Sequence, residues 1–217
     1  MNLFWLDSDM TRCAQAHQDA HVGKMLLEAV QLLCTAFALP YYHYPFVTWL
    51  DSTPAERLSD DLLPYTHTHV NHPCALWVRA SRANLDRAIE LAEALAAEFR
   101  YRFDKPHGSE AALDWVKRHR AEAQVPDGPL TPYALAMPEK YQYQSGHMNA
   151  LIQRTGDSLI LREVQHIPHH IAAYRAYYRA EKRGHWRKSR DPAKSSTWVP
   201  AKWTRRDPPE WFSTRYR

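Results

Sequence analysis

Six polar side chains in one segment set the chemical question. Wound at about 100° per residue, His17, His21, Lys24, Glu28, Gln31 and Thr35 fall within an arc of roughly 80°. Every other position from Val22 to Ala38 is Val, Gly, Met, Leu, Ala, Cys or Phe. A polar stripe on an amphipathic helix is commonly its solvated face. This one is narrow and carries His, Lys, Glu and Gln rather than a run of Glu/Lys pairs, which favours the wall of a cleft. Glu28 then suits acid–base chemistry, Lys24 is placed one turn earlier to pair with it, and His21 can orient a group or shuttle a proton. Lys before Glu is the weaker helix-stabilising order, which favours a chemical purpose over a structural one.

A metal is the competing use of these residues. His17 and His21 have the i,i+4 spacing of helical zinc ligands, and "HTHVNH" adds His67, His69 and His72. A metal-dependent hydrolase or nucleotide-modifying enzyme built on His17, His21, His69 and His72 therefore stays open. H-x-x-x-H alone is a weak signal, however, and the chain has neither H-E-x-x-H nor H-x-E with a downstream P-C-x-x-C. The simpler expectation is no cofactor.

The other chemical feature is charge. Residues 175–217 hold 13 Lys/Arg against 4 Asp/Glu, so the net charge of +4 is that of a basic end on an otherwise acidic chain. Clustered cations raise the local concentration of a polyanion and supply phosphate contacts. In "AYRAYYRAEKRGHW" the cations alternate with aromatic side chains, and "WRKSR", "AKWTRR" and "EWFSTRYR" repeat the pairing. Aromatic faces stack on exposed bases. Arg175, Arg179, Lys182, Trp203, Arg205, Arg206 and Trp211, with His72, are the expected nucleic-acid contacts. The plainer use of such tyrosines and cations is packing with a charged rim. A non-catalytic nucleic-acid-binding protein is thus the third open reading.

These residues need a scaffold, and the apolar spacing supplies a helical one. A long helix is expected from Met10 to Leu39, ended by Pro40 and Pro45. Residues 40–72 read as a long connection. A second long helix starts after Asn71 at His72–Pro73 and continues toward "RYRFDKPHG". A shorter third helix is capped by Ser109, and a fourth follows Pro168. "DSLILREV" is the one candidate strand, beside a possible short helix at "MNALIQR". The expected fold is mainly α: a compact helical catalytic domain over 1–184 with long loops, and a basic, aromatic C-terminal arm over 185–217 packed on it.

No apolar run approaches the roughly 20 residues of a membrane-spanning helix, and the start has no signal-peptide pattern. Cys13, Cys34 and Cys74 are odd in number and form no C-x-x-C. The expectation is a cytoplasmic protein (host cytoplasm for a phage-encoded chain), monomeric, and without a membrane partner.

Taken in order along the chain, these motifs resemble the pyrimidine-dimer DNA glycosylase/AP-lyase family of the small phage endonuclease V type. The opening "CAQAHQDAHVGKMLLEAVQLL" is also similar to that of uncharacterised phage-type proteins. His21 and Glu28 have the seven-residue spacing of that family's helix histidine and catalytic glutamate. "NHP" at Asn71–Pro73 with a helix running into "RYRFD", "MPEKY" at Met137–Tyr141, "IPHH" at Ile167–His170, "EK" at Glu181–Lys182 and "PPEWF" follow in matching order. The match covers most of the chain, with extra segments near residues 40–66 and 142–165.

The resemblance implies an all-helical enzyme that kinks double-stranded DNA and extracts a base. A terminal α-amine attacks the sugar C1′ to form a Schiff base, while the glutamate positions the sugar and assists elimination. Here the amine would be that of Met1, retained because Asn2 is bulky, and the catalytic set would be Glu28, His21, Lys24 and Met1. The family has arginines where this chain has Leu27 and Gln31, which leaves Lys24 as a phosphate-gripping substitute or an alternative amine.

Overall fold

The computed structural model describes residues 1–38, 63–142, 163, 166–187 and 195–212. Six α-helices are present among them: α1 (Met10–Ala16), α2 (Asp19–Ala38), α3 (Pro73–Ala80), α4 (Arg82–Phe103), α5 (Glu110–Arg118) and α6 (His169–Glu181). The fold is mainly α. Two short antiparallel strands, β1 (Gly184–Arg187) and β2 (Thr197–Pro200), pair with Trp186 opposite Trp198. The possible helix at 148–154 and the candidate strand at 157–164, apart from Glu163, lie outside the described residues.

Two of the expected long helices are each broken once. The first stops at Ala16 because His17 is extended (ψ 136°) with Nδ1 2.7 Å from the Cys13 carbonyl. The next peptide groups find partners far along the chain. Gln18 N–H donates to Tyr178 Oη at 2.9 Å, and Asp19 N–H donates to the Lys202 carbonyl at 2.9 Å. The second breaks at Ser81, also extended, whose hydroxyl accepts from Asn84 N–H and donates to the Pro129 carbonyl. Ser81 thereby ends α3 and caps α4. The cap of α3 is His72, not Asn71, with Nδ1 accepting from Cys74 N–H. Ser109 precedes α5 as expected, but its hydroxyl accepts from Tyr65 Oη instead of capping the helix.

The chain forms two compact units, residues 1–4 with 22–136 and residues 5–21 with 137–217. This differs from a division at 184/185, which would cut β1 one residue into the strand. In the first unit α3 packs on α4 and α4 on α5. The apolar sides of α2 and α4 bury Val22, Leu26, Val30, Leu33, Leu85 and Leu95, and Phe37 meets Trp115 edge-on at 5.3 Å. Residues 125–136 run as a strap across these helices. The Pro126 carbonyl accepts from Arg82 N–H, Asn84 brackets Thr131, and Tyr133 stacks on Trp77.

In the second unit α6 supplies the interior. Arg175 and Arg179 are buried against Glu163, and Arg175 also reaches Asp7 at 3.0 Å and the Leu6 carbonyl at 2.8 Å. Trp203 and Phe212 pack together with ring centroids 4.7 Å apart, and the Trp203 indole N–H donates to the Ala16 carbonyl. The C-terminal residues expected as an extended arm thus contribute a strand pair and core side chains. Gly184 is required at the hairpin base, because a Cβ there would lie 2.6 Å from the Trp198 ring.

Candidate active site around Glu28

Glu28 sits half-buried on α2, its side chain 13% exposed. One carboxylate oxygen, Oε2, accepts the backbone N–H of Asn2 at 2.7 Å, and the other, Oε1, lies 3.7 Å from Lys24 Nζ. Asn2 is fixed on two further sides: its amide nitrogen donates to the Ala136 carbonyl at the end of the strap, and its amide oxygen accepts from Cys74 Sγ on α3. Three elements therefore hold the residue that follows the α-amine. Met1 itself is partly exposed.

His72 closes this group from the start of α3. Its imidazole pKa is lowered, first by burial and then by the positive α-amine and His69, with Glu28 opposing them. Unprotonated Nδ1 is also what the α3 cap requires, since it accepts the Cys74 N–H at 3.2 Å. His69 precedes it in a turn, with the His72 N–H on the His69 carbonyl and His69 itself at φ 51°, a left-handed backbone uncommon for a residue with a Cβ. The structure thus gathers Met1, Lys24, Glu28 and His72 from the expected residues. Lys24 is the most exposed, with 62% of its side chain open, and its pair with Glu28 is a surface contact of small energy.

The other members of the stripe have different surroundings. His21 Nδ1 shares a hydrogen bond of 2.8 Å with Tyr178 Oη in the second unit, and the rings meet edge-on. His17 is completely buried and lies outside α2, so it drops out of the stripe. Thr35 is buried, its hydroxyl donating to the Gln31 carbonyl and accepting from Thr68 N–H. Among the described residues, no group of three or more His, Cys, Asp or Glu is placed to hold a metal ion.

The expected nucleic-acid contacts divide by burial. Arg175, Arg179 and Trp203 are 8%, 3% and 7% exposed, and their polar groups are engaged inside the second unit, where they build the fold. Their carboxylate partners explain the difference: Asp7 and Glu163 neutralise a helix face that looks purely basic in sequence. Lys182 lies over the Tyr177 ring at 4.9 Å. Arg205, Arg206 and Trp211 line an open cleft in the same unit.

Asn2 is the residue of this site that sequence reasoning treats only as bulk. Its decisive contact is a main-chain N–H, which no side-chain pattern encodes. Comparison with family models, with curated proteins and with solved structures finds no match. None of the helices among the described residues is long and apolar enough to cross a membrane.

Proposed function

We propose that the chain is a DNA glycosylase/AP-lyase-like enzyme, acting on a damaged or modified base by amine chemistry at residue 1. The observation that carries this reading is the 2.7 Å hydrogen bond from Asn2 N–H to Glu28 Oε2, which ties the residue beside the α-amine to the helix glutamate. An α-amine with its lone pair available is a nucleophile that forms a Schiff base with a sugar carbon.

In the proposed reaction the amine nitrogen attacks C1′ of an extracted nucleotide. The N–C1′ bond forms as the glycosidic bond breaks, and the base leaves with the bonding electron pair and gains a proton. Opening of the sugar gives an iminium, removal of a C2′ proton gives the enamine, and the C3′–O bond breaks to release the 3′ phosphate. In this reaction Glu28 is the carboxylate that stabilises the cationic charge developing at C1′ and takes or returns the sugar's protons. His72, coupled electrostatically to the α-amine and to Glu28, supplies an unprotonated imidazole. Lys24 is the second amine within reach of Glu28 and takes the phosphate role that Leu27 and Gln31 leave vacant. Lys182, Arg205, Arg206 and Trp211 are the DNA contacts that remain.

Borohydride trapping on duplex DNA with an abasic site tests the reading. The expected result is a covalent adduct at Met1, lost when the α-amine is acetylated and strongly reduced by E28Q. An adduct unchanged by both treatments, or no adduct on abasic or photodimer DNA, overturns it.

A further inference from the structure

The second unit holds a cleft of about 550 Å³ between α1 and residues 205–211, within the usual range of about 300–1,000 Å³ for small-ligand sites. Its floor is built by Trp211. The Arg175 guanidinium lies 5.1 Å from the centre of the indole, and Arg179 donates to the Trp211 carbonyl. Arg175 is itself held by Asp7 and the Leu6 carbonyl, so the ring rests on a neutralised, immobilised cation.

One wall is the turn Trp203–Arg206. The Trp203 indole N–H is fixed to the Ala16 carbonyl, the Thr204 N–H and hydroxyl both donate to the Asp19 carboxylate, and Arg206 N–H returns to the Trp203 carbonyl. Pinned at these points, Arg205 sits at φ 61°, in the left-handed region that favours glycine. A strained, exposed arginine held by its neighbours is backbone energy invested in where a guanidinium points. Arg206 follows it into the cleft, and Arg12 enters from α1. Asp207 and Glu210 stand at the same opening. Guanidinium forks match phosphate oxygens, an indole takes a planar ring, and carboxylates accept from sugar hydroxyls or exocyclic amines.

We propose that this cleft is a nucleotide-binding site, in which Arg12, Arg205 and Arg206 hold a phosphate and Trp211 takes the base. It names the unit bound in the nucleic-acid part of the reading above, but it is independent of amine chemistry: borohydride trapping and nucleotide binding fail separately. The phosphate belongs either to a free nucleotide or to a strand.

Titration calorimetry at low salt with thymidine 5′-monophosphate, deoxythymidine, inorganic phosphate and a ten-residue single-stranded oligonucleotide tests the site on the full chain. The monophosphate is expected to bind at least tenfold more tightly than either fragment. Competition by the oligonucleotide assigns the phosphate to a strand, and its failure to compete assigns a free nucleotide. R205G separates binding from folding, since glycine adopts the left-handed backbone without strain: the chain should stay folded by circular dichroism at the assay temperature while affinity falls tenfold or more. R12Q should weaken binding with the helix intact. Unchanged affinity in both variants, failure of both the monophosphate and the strand to bind, or equal binding of a fragment overturns the proposal.

Discussion

The main-chain N–H of Asn2 donates to Glu28 Oε2 at 2.7 Å across 26 residues of sequence. The carboxylate is therefore an anchor for the N-terminal residues as well as a candidate catalytic group, and substitutions at position 28 separate the two roles. E28Q keeps an oxygen that can accept the Asn2 N–H and gives up only the exposed pair with Lys24. A stability loss below about 1 kcal/mol is expected by chemical denaturation, together with a fall of at least 100-fold in trapped adduct. E28A leaves the N–H without its acceptor and should cost about 1–3 kcal/mol. Equal stability losses in the two variants would show that the anchor contributes nothing.

His72 gives a pH dependence with a definite sign. Burial, the α-amine and His69 lower its pKa below the ordinary 6.5, so the unfolded chain binds the proton more tightly than the folded one. The stability this contributes is complete above about pH 6.5 and is lost as pH falls through the lowered folded value. His107, also lowered by burial, adds a dependence of the same sign. In H72N the amide can still cap α3 but does not titrate. Urea midpoints measured between pH 7.5 and 5 should fall less steeply for H72N than for the parent chain. Identical slopes would remove His72 as the titrating group.

The helices were legible in sequence because burial imposes a periodicity, and Glu28 was legible because a carboxylate on an otherwise apolar helix is conspicuous. The breaks at His17–Gln18 and Ser81 were not. Each is stabilised by partners from distant segments, Tyr178 and the Lys202 carbonyl for the first and the Pro129 and Pro126 carbonyls for the second. Local pattern carries no record of those acceptors. The same limit explains Arg175 and Arg179: their carboxylates are supplied by Asp7 and Glu163, and a basic face with its counter-charges elsewhere in the chain reads as a surface for phosphates.

The cysteines should be inert in the folded protein. Cys13, Cys34 and Cys74 are all buried and unpaired with one another, and burial pushes the Cys34 thiol up to about 12. Because the thiolate is the reactive form, iodoacetamide at pH 8 should leave Cys34 unmodified in the native state and label it rapidly in denaturant. Native labelling of Cys34 at the denatured rate would contradict its burial beneath the Tyr65 segment.

Arg179 and Arg206 make opposite predictions from the same side chain. Arg179 is 3% exposed and pairs with Glu163 at 2.9 Å, so R179Q strips one partner from a buried ion pair and should destabilise by about 3–5 kcal/mol. It presents no cation to a polyanion. Below its own Tm, R179Q should bind nucleic acid with an unchanged dependence of log K on log salt. Arg206 lines the open cleft, and R206Q should destabilise less than R179Q, its main effect falling on binding. One lost phosphate contact on a single strand should reduce the salt slope by about 0.7. Circular dichroism melts and filter binding across a salt series, run on both variants, read these outcomes side by side. A reduced salt slope in R179Q would place its guanidinium at the phosphates, and an unchanged slope in R206Q would remove that residue from them.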